Sequence, residues 1–249
     1  MTLRCKAMSY REHPKDNYNN QKALLRGVNE TLDAIKELET GTHCLMVYPD
    51  IMTLRAIYSS FTKQQLEDQN EIVLILPNYE TTDMVRLVLS GSNIYGNDIT
   101  NNPVGYSGID VSRYEKEGSL VIVDSLKGYF GSDQQQENNS NSNSNSNNKT
   151  SYKNMDFMTF LNVLLRHAER RRKDGVTILA DMGSFYLNNH NGCQELMRYE
   201  MSLPEKYYGK NLKGYCLYHQ KDFERRFGRE EQAQLLDCHN RNIMLMNAN

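Results

Sequence analysis

Five short apolar runs, each separated from the next by helical spacing, constrain this chain more than any other feature. The runs are HCLMVY at 43–48, EIVLIL at 71–76, SLVIVDSL at 119–126, GVTILADM at 175–182 and KGYCLYH at 213–219. Each is bounded by Gly, Asn or charged residues, as buried strands are. Between them, apolar residues recur at three- and four-residue steps over 52–69, 82–90, 156–173, 191–203 and 222–238. This alternation predicts an α/β fold in which a mostly parallel sheet carries helices on both faces. Such sheets bind ligands beyond the carboxyl ends of their strands, so the residues just after each run carry the functional interest.

The first run passes straight into a helix through Tyr48-Pro49-Asp50. A phosphate loop needs glycines that turn successive backbone N–H groups toward the phosphates, with a Lys and a Ser or Thr for the phosphates and magnesium. Pro49 and Asp50 supply none of these. The expected fold is a nucleotide-binding-type, Rossmann-like α/β sheet without a phosphate-binding loop, which points to binding and signalling over catalysis.

A chain of 249 residues with 39% hydrophobic content can build one principal domain with a substantial core. Lys and Arg number 29 against 31 Asp and Glu, for a net charge of −2, so the composition does not advertise nucleic-acid binding. Five cysteines at 5, 44, 193, 216 and 238 are odd in number and scattered, which fits free thiols in a reducing compartment. No apolar run approaches the roughly 20 residues of a membrane span. The leading residues also lack the apolar core of a secretory signal, so a cytoplasmic location is expected.

Residues 1–20 are polar and without pattern and are expected to form a disordered arm. Over 21–40, Leu24, Leu25, Val28, Leu32, Ile35 and Leu38 make one apolar stripe of an amphipathic helix. That helix docks on the domain or pairs with a second copy to make a homodimer. From 134 to 148 the chain is almost entirely Gln, Asn and Ser. Having nothing apolar to bury, this tract is expected to be a flexible insertion at about 131–151 within a single domain spanning 41–246.

Several short motifs add up to a family resemblance. His43 heads the first strand, and EIVLIL follows a helix with a polar end. Then come Asp181-Met182-Gly183, Leu196-Met197-Arg198-Tyr199-Glu200, Tyr215-Cys216-Leu217-Tyr218 and Leu235-Leu236-Asp237-Cys238-His239. In order and spacing they resemble the MEDS domain, the methanogen and methylotroph DcmR-type sensory domain, itself similar to a degenerate KaiC or RecA-like core. The resemblance implies a ligand-sensing module for small organic compounds, found beside DNA-binding or histidine-kinase parts. This chain departs from that layout in showing neither a helix-turn-helix nor a kinase domain, so output would pass through a separate regulator or kinase protein. It also has His239-Asn240 where the family's final motif carries His-Pro.

The polar residues near these motifs each admit a structural and a functional reading. His43 either hydrogen-bonds a carbonyl at the sheet end or contacts a ligand in a cleft. Tyr48 either packs against the next helix or walls a small apolar pocket. Asp181 follows TILA as the magnesium-holding acid follows a strand in ATPases, but without a phosphate loop a cap or turn role is favoured over ligand contact. Glu200 needs a partner if it faces inward, and Arg166 or His239 could serve. With Tyr218 and His239, these residues form the candidate ligand-binding set.

A metal centre is argued against by local geometry. Cys216 and His219 point to opposite faces of a strand, and the adjacent Cys238 and His239 diverge at a helix end, whereas zinc wants four converging ligands. Nucleophilic catalysis has no Gly-x-Ser-x-Gly elbow to rest on, because Ser125 lacks flanking glycines. The basic run Arg166, Arg170, Arg171, Arg172 and Lys173 most simply complements a helix C-terminus and faces water. The leading expectation is a non-catalytic sensory module for a small organic ligand, with no cofactor, metal or catalytic residue assigned. The alternatives are a pseudo-ATPase scaffold for a protein partner and, more weakly, an unorthodox nucleotide-dependent enzyme.

Overall fold

The computed structural model describes residues 24–92, 108–131, 157–188, 192–207 and 210–245. Its core is a seven-stranded sheet in the order β1-β7-β2-β6-β5-β3-β4, in which every strand pairs with its neighbours in parallel. The strands are β1 (Leu24–Arg26), β2 (His43–Tyr48), β3 (Ile72–Leu76), β4 (Leu120–Ile122), β5 (Val176–Asp181), β6 (Leu212–His219) and β7 (Arg241–Leu245). β2, β3 and β5 are buried at every position, which is why they read as continuous apolar runs and not as alternating ones.

Helices cover both faces. On one face lie α1 (Val28–Lys36), α2 (Ile51–Glu67), α3 (Thr82–Leu89) and α4 (Val111–Glu117), whose Ile35, Phe61, Val88 and Tyr114 pack with Met46, Val73 and Leu217 of the sheet. The opposite face carries α6 (Phe157–Arg171), α7 (Gly183–Asn188), α8 (Gly192–Tyr207), α9 (Gln220–Arg226) and α10 (Arg229–Cys238), packed on Leu45, Leu74, Ile178 and Tyr218. The short α5 (Ser125–Phe130) follows β4. This is the α/β architecture, a parallel sheet with helices on both faces, expected from the alternation.

The connections also locate a topological switch point in the sheet. The chain moves from β2 to β3 with α2 on one face, then returns through β5 and β6 with α6 and α8 on the other. The loops after β2 and β6 therefore leave the sheet in opposite directions, and the crevice of an open α/β sheet lies at such a switch point.

Three local readings differ from expectation. The 21–40 segment is not one helix: Leu24–Arg26 pair with Ile243–Leu245 as an edge strand, and the helix begins at Val28 after the N-cap Gly27. The 222–238 helix is two, because Phe227 turns extended and Gly228 caps α10, its N–H donating to Glu231 Oε2 at 2.6 Å. β7 itself, RNIML, is partly exposed and too polar at its start to announce a strand. The arm at 1–20 and the Asn/Ser tract lie outside the described residues.

Cys44, Cys216 and Cys238 carry free thiols, while Cys193 is disulfide-bonded, so the expectation of free thiols does not extend to it. Among the described residues, no helix is long and apolar enough to cross a membrane.

Candidate functional site

At the switch point the last residues of three strands meet. Tyr48 ends β2 and stands in register with His219, which ends β6, their rings edge-on at 5.5 Å. The Tyr48 hydroxyl donates to Asp181 Oδ2 at 2.8 Å, and Asp181, the end of β5, accepts the Gly183 N–H on Oδ1 at 2.8 Å. A side chain at Gly183 would collide with Asn78, so glycine lets the chain turn tightly enough for that second bond. Tyr79, just beyond β3, packs against Tyr48 and His219 and donates to Asp222 in the first turn of α9. Asp222 in turn lies 3.5 Å from His219 Nδ1 and 3.8 Å from Arg226 Nε.

Three carboxyl groups gather at this edge. Burial raises the Asp181 carboxyl to about 7; the bonds from Gly183 and Tyr48 oppose the rise, and the nearby Asp222 and Glu80 carboxylates add to it. Glu80 is held by Arg55 through contacts of 2.6 and 2.7 Å. A cavity of about 20 Å³ opens beside this edge, lined by Leu54, Tyr58, Pro77, Asn78, Glu80 and Asp181 among others.

The N-terminus of α2 is capped by a carboxylate. Asp50 caps it, Oδ1 accepting the Thr53 N–H at 2.9 Å and Oδ2 the Thr53 hydroxyl at 3.0 Å. A helix that binds phosphate presents bare N–H groups and a positive dipole end. Here a carboxylate already occupies that place.

A second polar cluster lies inside the protein, between the sheet and α8. His43 at the start of β2, Cys216 and Tyr218 on β6, Glu200 on α8 and His239 just after α10 converge there, all 5% exposed or less. His43 Nε2 is 3.1 Å from Glu200 Oε2 and 3.3 Å from Cys216 Sγ, and Cys216 Sγ is 3.5 Å from Glu200 Oε2. His239 Nε2 reaches to 3.4 Å of the same carboxylate oxygen without the alignment of a hydrogen bond. The other carboxylate oxygen accepts the Tyr218 hydroxyl at 2.6 Å, and His239 Nδ1 lies 2.6 Å from the Leu235 carbonyl. The two imidazoles stack with centroids 3.9 Å apart.

Charges within this cluster compensate one another. Burial alone would push the Glu200 carboxyl up, but the adjacent His239 and His43 override it and hold Glu200 below the usual carboxylate range. Burial would likewise lower His239, yet Glu200 raises it well above an ordinary imidazole. His43 is lowered, by burial and by the neighbouring His239. Burial drives the Cys216 thiol up.

The ligand-binding set chosen from sequence thus divides between two places. Tyr48 and Asp181 sit at the crevice; His43, Glu200, Tyr218 and His239 form the enclosed cluster. Asp181 takes the turn role through Gly183 and also holds Tyr48. Of the partners offered for Glu200, His239 is the one beside it. Cys216 and His219 do lie in different places, as strand geometry requires. The donors around Glu200, however, come from separate elements, a convergence that spacing within any one motif could not reveal. Tyr79 and Asp222 at the crevice escaped the sequence reading, and His219 entered it only as a metal donor, because their meeting depends on the Tyr48–His219 register. In the basic run, Arg170 and Arg171 fall in the last turn of α6, where they complement the helix dipole.

No protein-family model matches the chain, and no curated protein matches it in sequence. Among solved structures it is similar to a KaiC-like protein from the hyperthermophilic archaeon Pyrococcus horikoshii, with 15% identity and a TM-score of 0.42. That match covers 72% of this chain and 62% of the archaeal one.

Proposed function

We propose that this protein is a non-catalytic sensory module that binds a small, neutral or cationic organic ligand at the crevice formed by Tyr48, Tyr79, Asp181 and His219. The observation that carries this reading is the Asp50 cap on α2, which puts a carboxylate where a nucleotide would place its phosphates. Asp181, with its carboxyl raised to about 7 by burial, offers a hydrogen-bonding group suited to a hydroxyl or amine, while Glu80 and Asp222 are already matched by Arg55 and Arg226. The sequence resemblance to the MEDS domain supports the sensory role and the class of ligand.

Size narrows the ligand further. The cavity of about 20 Å³ that adjoins Tyr79 and Asp181 has room for little more than one water-sized group, so a ligand that enters it places there about one to three non-hydrogen atoms. With a ceiling of about 1.5 kcal/mol per atom, a three-atom ligand binds no tighter than about millimolar. Binding is read by two-dimensional amide NMR with methanol, ethanol, methylamine and Mg-ATP as probes. Saturable shifts at Gly183 with a short alcohol or amine, lost in Asp181→Asn, are expected. Saturable binding of Mg-ATP, or no response to any short alcohol or amine, would overturn the reading.

A further inference from the structure

The enclosed cluster has a composition that ligand sensing at the crevice does not use. Four donor atoms of three chemical kinds, from His43, Glu200, Cys216 and His239, lie within 4.8 Å of one another in a fully buried setting.

Four of the six donor separations fit a tetrahedral coordination shell. With zinc bonds of about 2.0–2.1 Å to nitrogen and oxygen and about 2.3 Å to sulfur, ligands at tetrahedral angles are about 3.3 Å apart for N and O and about 3.5 Å when sulfur is one partner. Observed separations are 3.1 Å for His43 Nε2 to Glu200 Oε2, 3.4 Å for His239 Nε2 to the same oxygen, 3.3 Å for His43 Nε2 to Cys216 Sγ and 3.5 Å for Cys216 Sγ to Glu200 Oε2. The two remaining edges, from His239 to His43 and to Cys216, are no longer than 4.8 Å.

The surroundings also fit. Metal-binding histidines commonly donate their other ring N–H to a carbonyl, and His239 Nδ1 stands 2.6 Å from the Leu235 carbonyl. Tyr218 bonds Glu200 Oε1, leaving Oε2 as the inward oxygen. His239 Nε2 is a buried nitrogen with no hydrogen-bond partner, facing that oxygen. Cys238, the adjacent thiol, contacts Nδ1 of His239 at 3.4 Å and so lies on the wrong side of the ring to join the set.

We propose that His43, Glu200, Cys216 and His239 form a binding site for one divalent transition-metal ion of the zinc class. Mixed imidazole, thiolate and carboxylate donors suit zinc and its substitute cobalt, and exclude magnesium and calcium, which want oxygen alone. All four positions being protein donors makes the site closed and structural. The ion ties α8 and the end of α10 to β2 and β6, elements far apart in sequence.

The test loads the metal-stripped full chain with Co²⁺, Zn²⁺ or Mg²⁺. One equivalent of Co²⁺ per chain is expected, with thiolate-to-cobalt charge-transfer absorption and tetrahedral visible bands. Zn²⁺ in large excess over its Kd should raise the Tm by roughly 8 °C or more, and Mg²⁺ should not. Cys216→Ser should abolish the charge-transfer band and Cys238→Ser should keep it. If the C216S chain does not fold, Glu200→Gln, which can still accept from Tyr218, should weaken Co²⁺ binding at least about tenfold. The proposal is overturned by the absence of stoichiometric binding, by a Mg²⁺ effect equal to that of Zn²⁺, by unchanged affinity in E200Q, or by a band that persists in C216S or is lost in C238S.

Discussion

The Tyr48 hydroxyl donates to Asp181 Oδ2 across β6, joining the ends of two strands that do not pair with each other. Removing that donor by Tyr48→Phe leaves a buried carboxyl short of one bond, at a cost of about 1–3 kcal/mol. Urea denaturation should show a lower midpoint with an unchanged slope. A midpoint within error of the native one would mean that the bond contributes nothing.

Asp181 should make stability depend on pH in an unusual direction. Its folded-state value of about 7 stands above the ordinary 3.8, so between those limits the folded chain holds a proton that the unfolded chain releases. The contribution is full below about pH 4, declines as pH rises through 7 and is then spent. At about 1.4 kcal/mol per unit the total is a few kcal/mol. Asp181→Asn should remove this part of the slope, which urea midpoints at pH 5 and pH 8 would reveal; equal slopes in both proteins would refute the assignment.

A buried ion pair at the other end of the strands offers a separate test. Lys213 Nζ lies 2.7 Å from Glu71 Oε1 and also donates to Gln65 Oε1 at 2.9 Å, while Thr177 donates to Glu71. Lys213→Met strands the Glu71 carboxylate and should destabilise the fold by about 3–5 kcal/mol. Adding Glu71→Leu should restore much of that loss, and a double variant no more stable than K213M would show that the pair is not what matters.

Asp50 should behave as a helix cap first. Asp50→Ala removes the acceptor for the Thr53 N–H and should lower the Tm by about 2–4 °C, corresponding to about 1 kcal/mol for a chain of this length. Differential scanning calorimetry reads this directly, and an unaltered Tm would contradict it.

The parallel sheet and most of its helices were legible because β2, β3 and β5 are buried throughout and mostly apolar and α2, α3 and α6 keep one spacing. β7 was not, since RNIML begins with exposed polar residues and is held as a strand by pairing on both sides. The segment at Leu24 fits a helical stripe equally well, and pairing with Ile243 decides otherwise. At the sites, Tyr48, Asp181, Glu200 and the histidines could be chosen as polar residues beside apolar runs. Their sorting into a crevice and an enclosed cluster depends on strand order, with β6 inserted between β2 and β5, and strand order has no local signature.

That order has a consequence for how the chain acquires its shape. β7 fills the place between β1 and β2, and it is the C-terminal-most of the described strands. As a polypeptide emerges from the ribosome, one side of β2 stays unsatisfied until this late segment arrives, and His239 arrives just ahead of it. The nascent molecule would pass through a stage with an open hydrogen-bonding edge, a template for mispairing with another copy. Ordering of the four-donor cluster and closure of the sheet would then be the same late event.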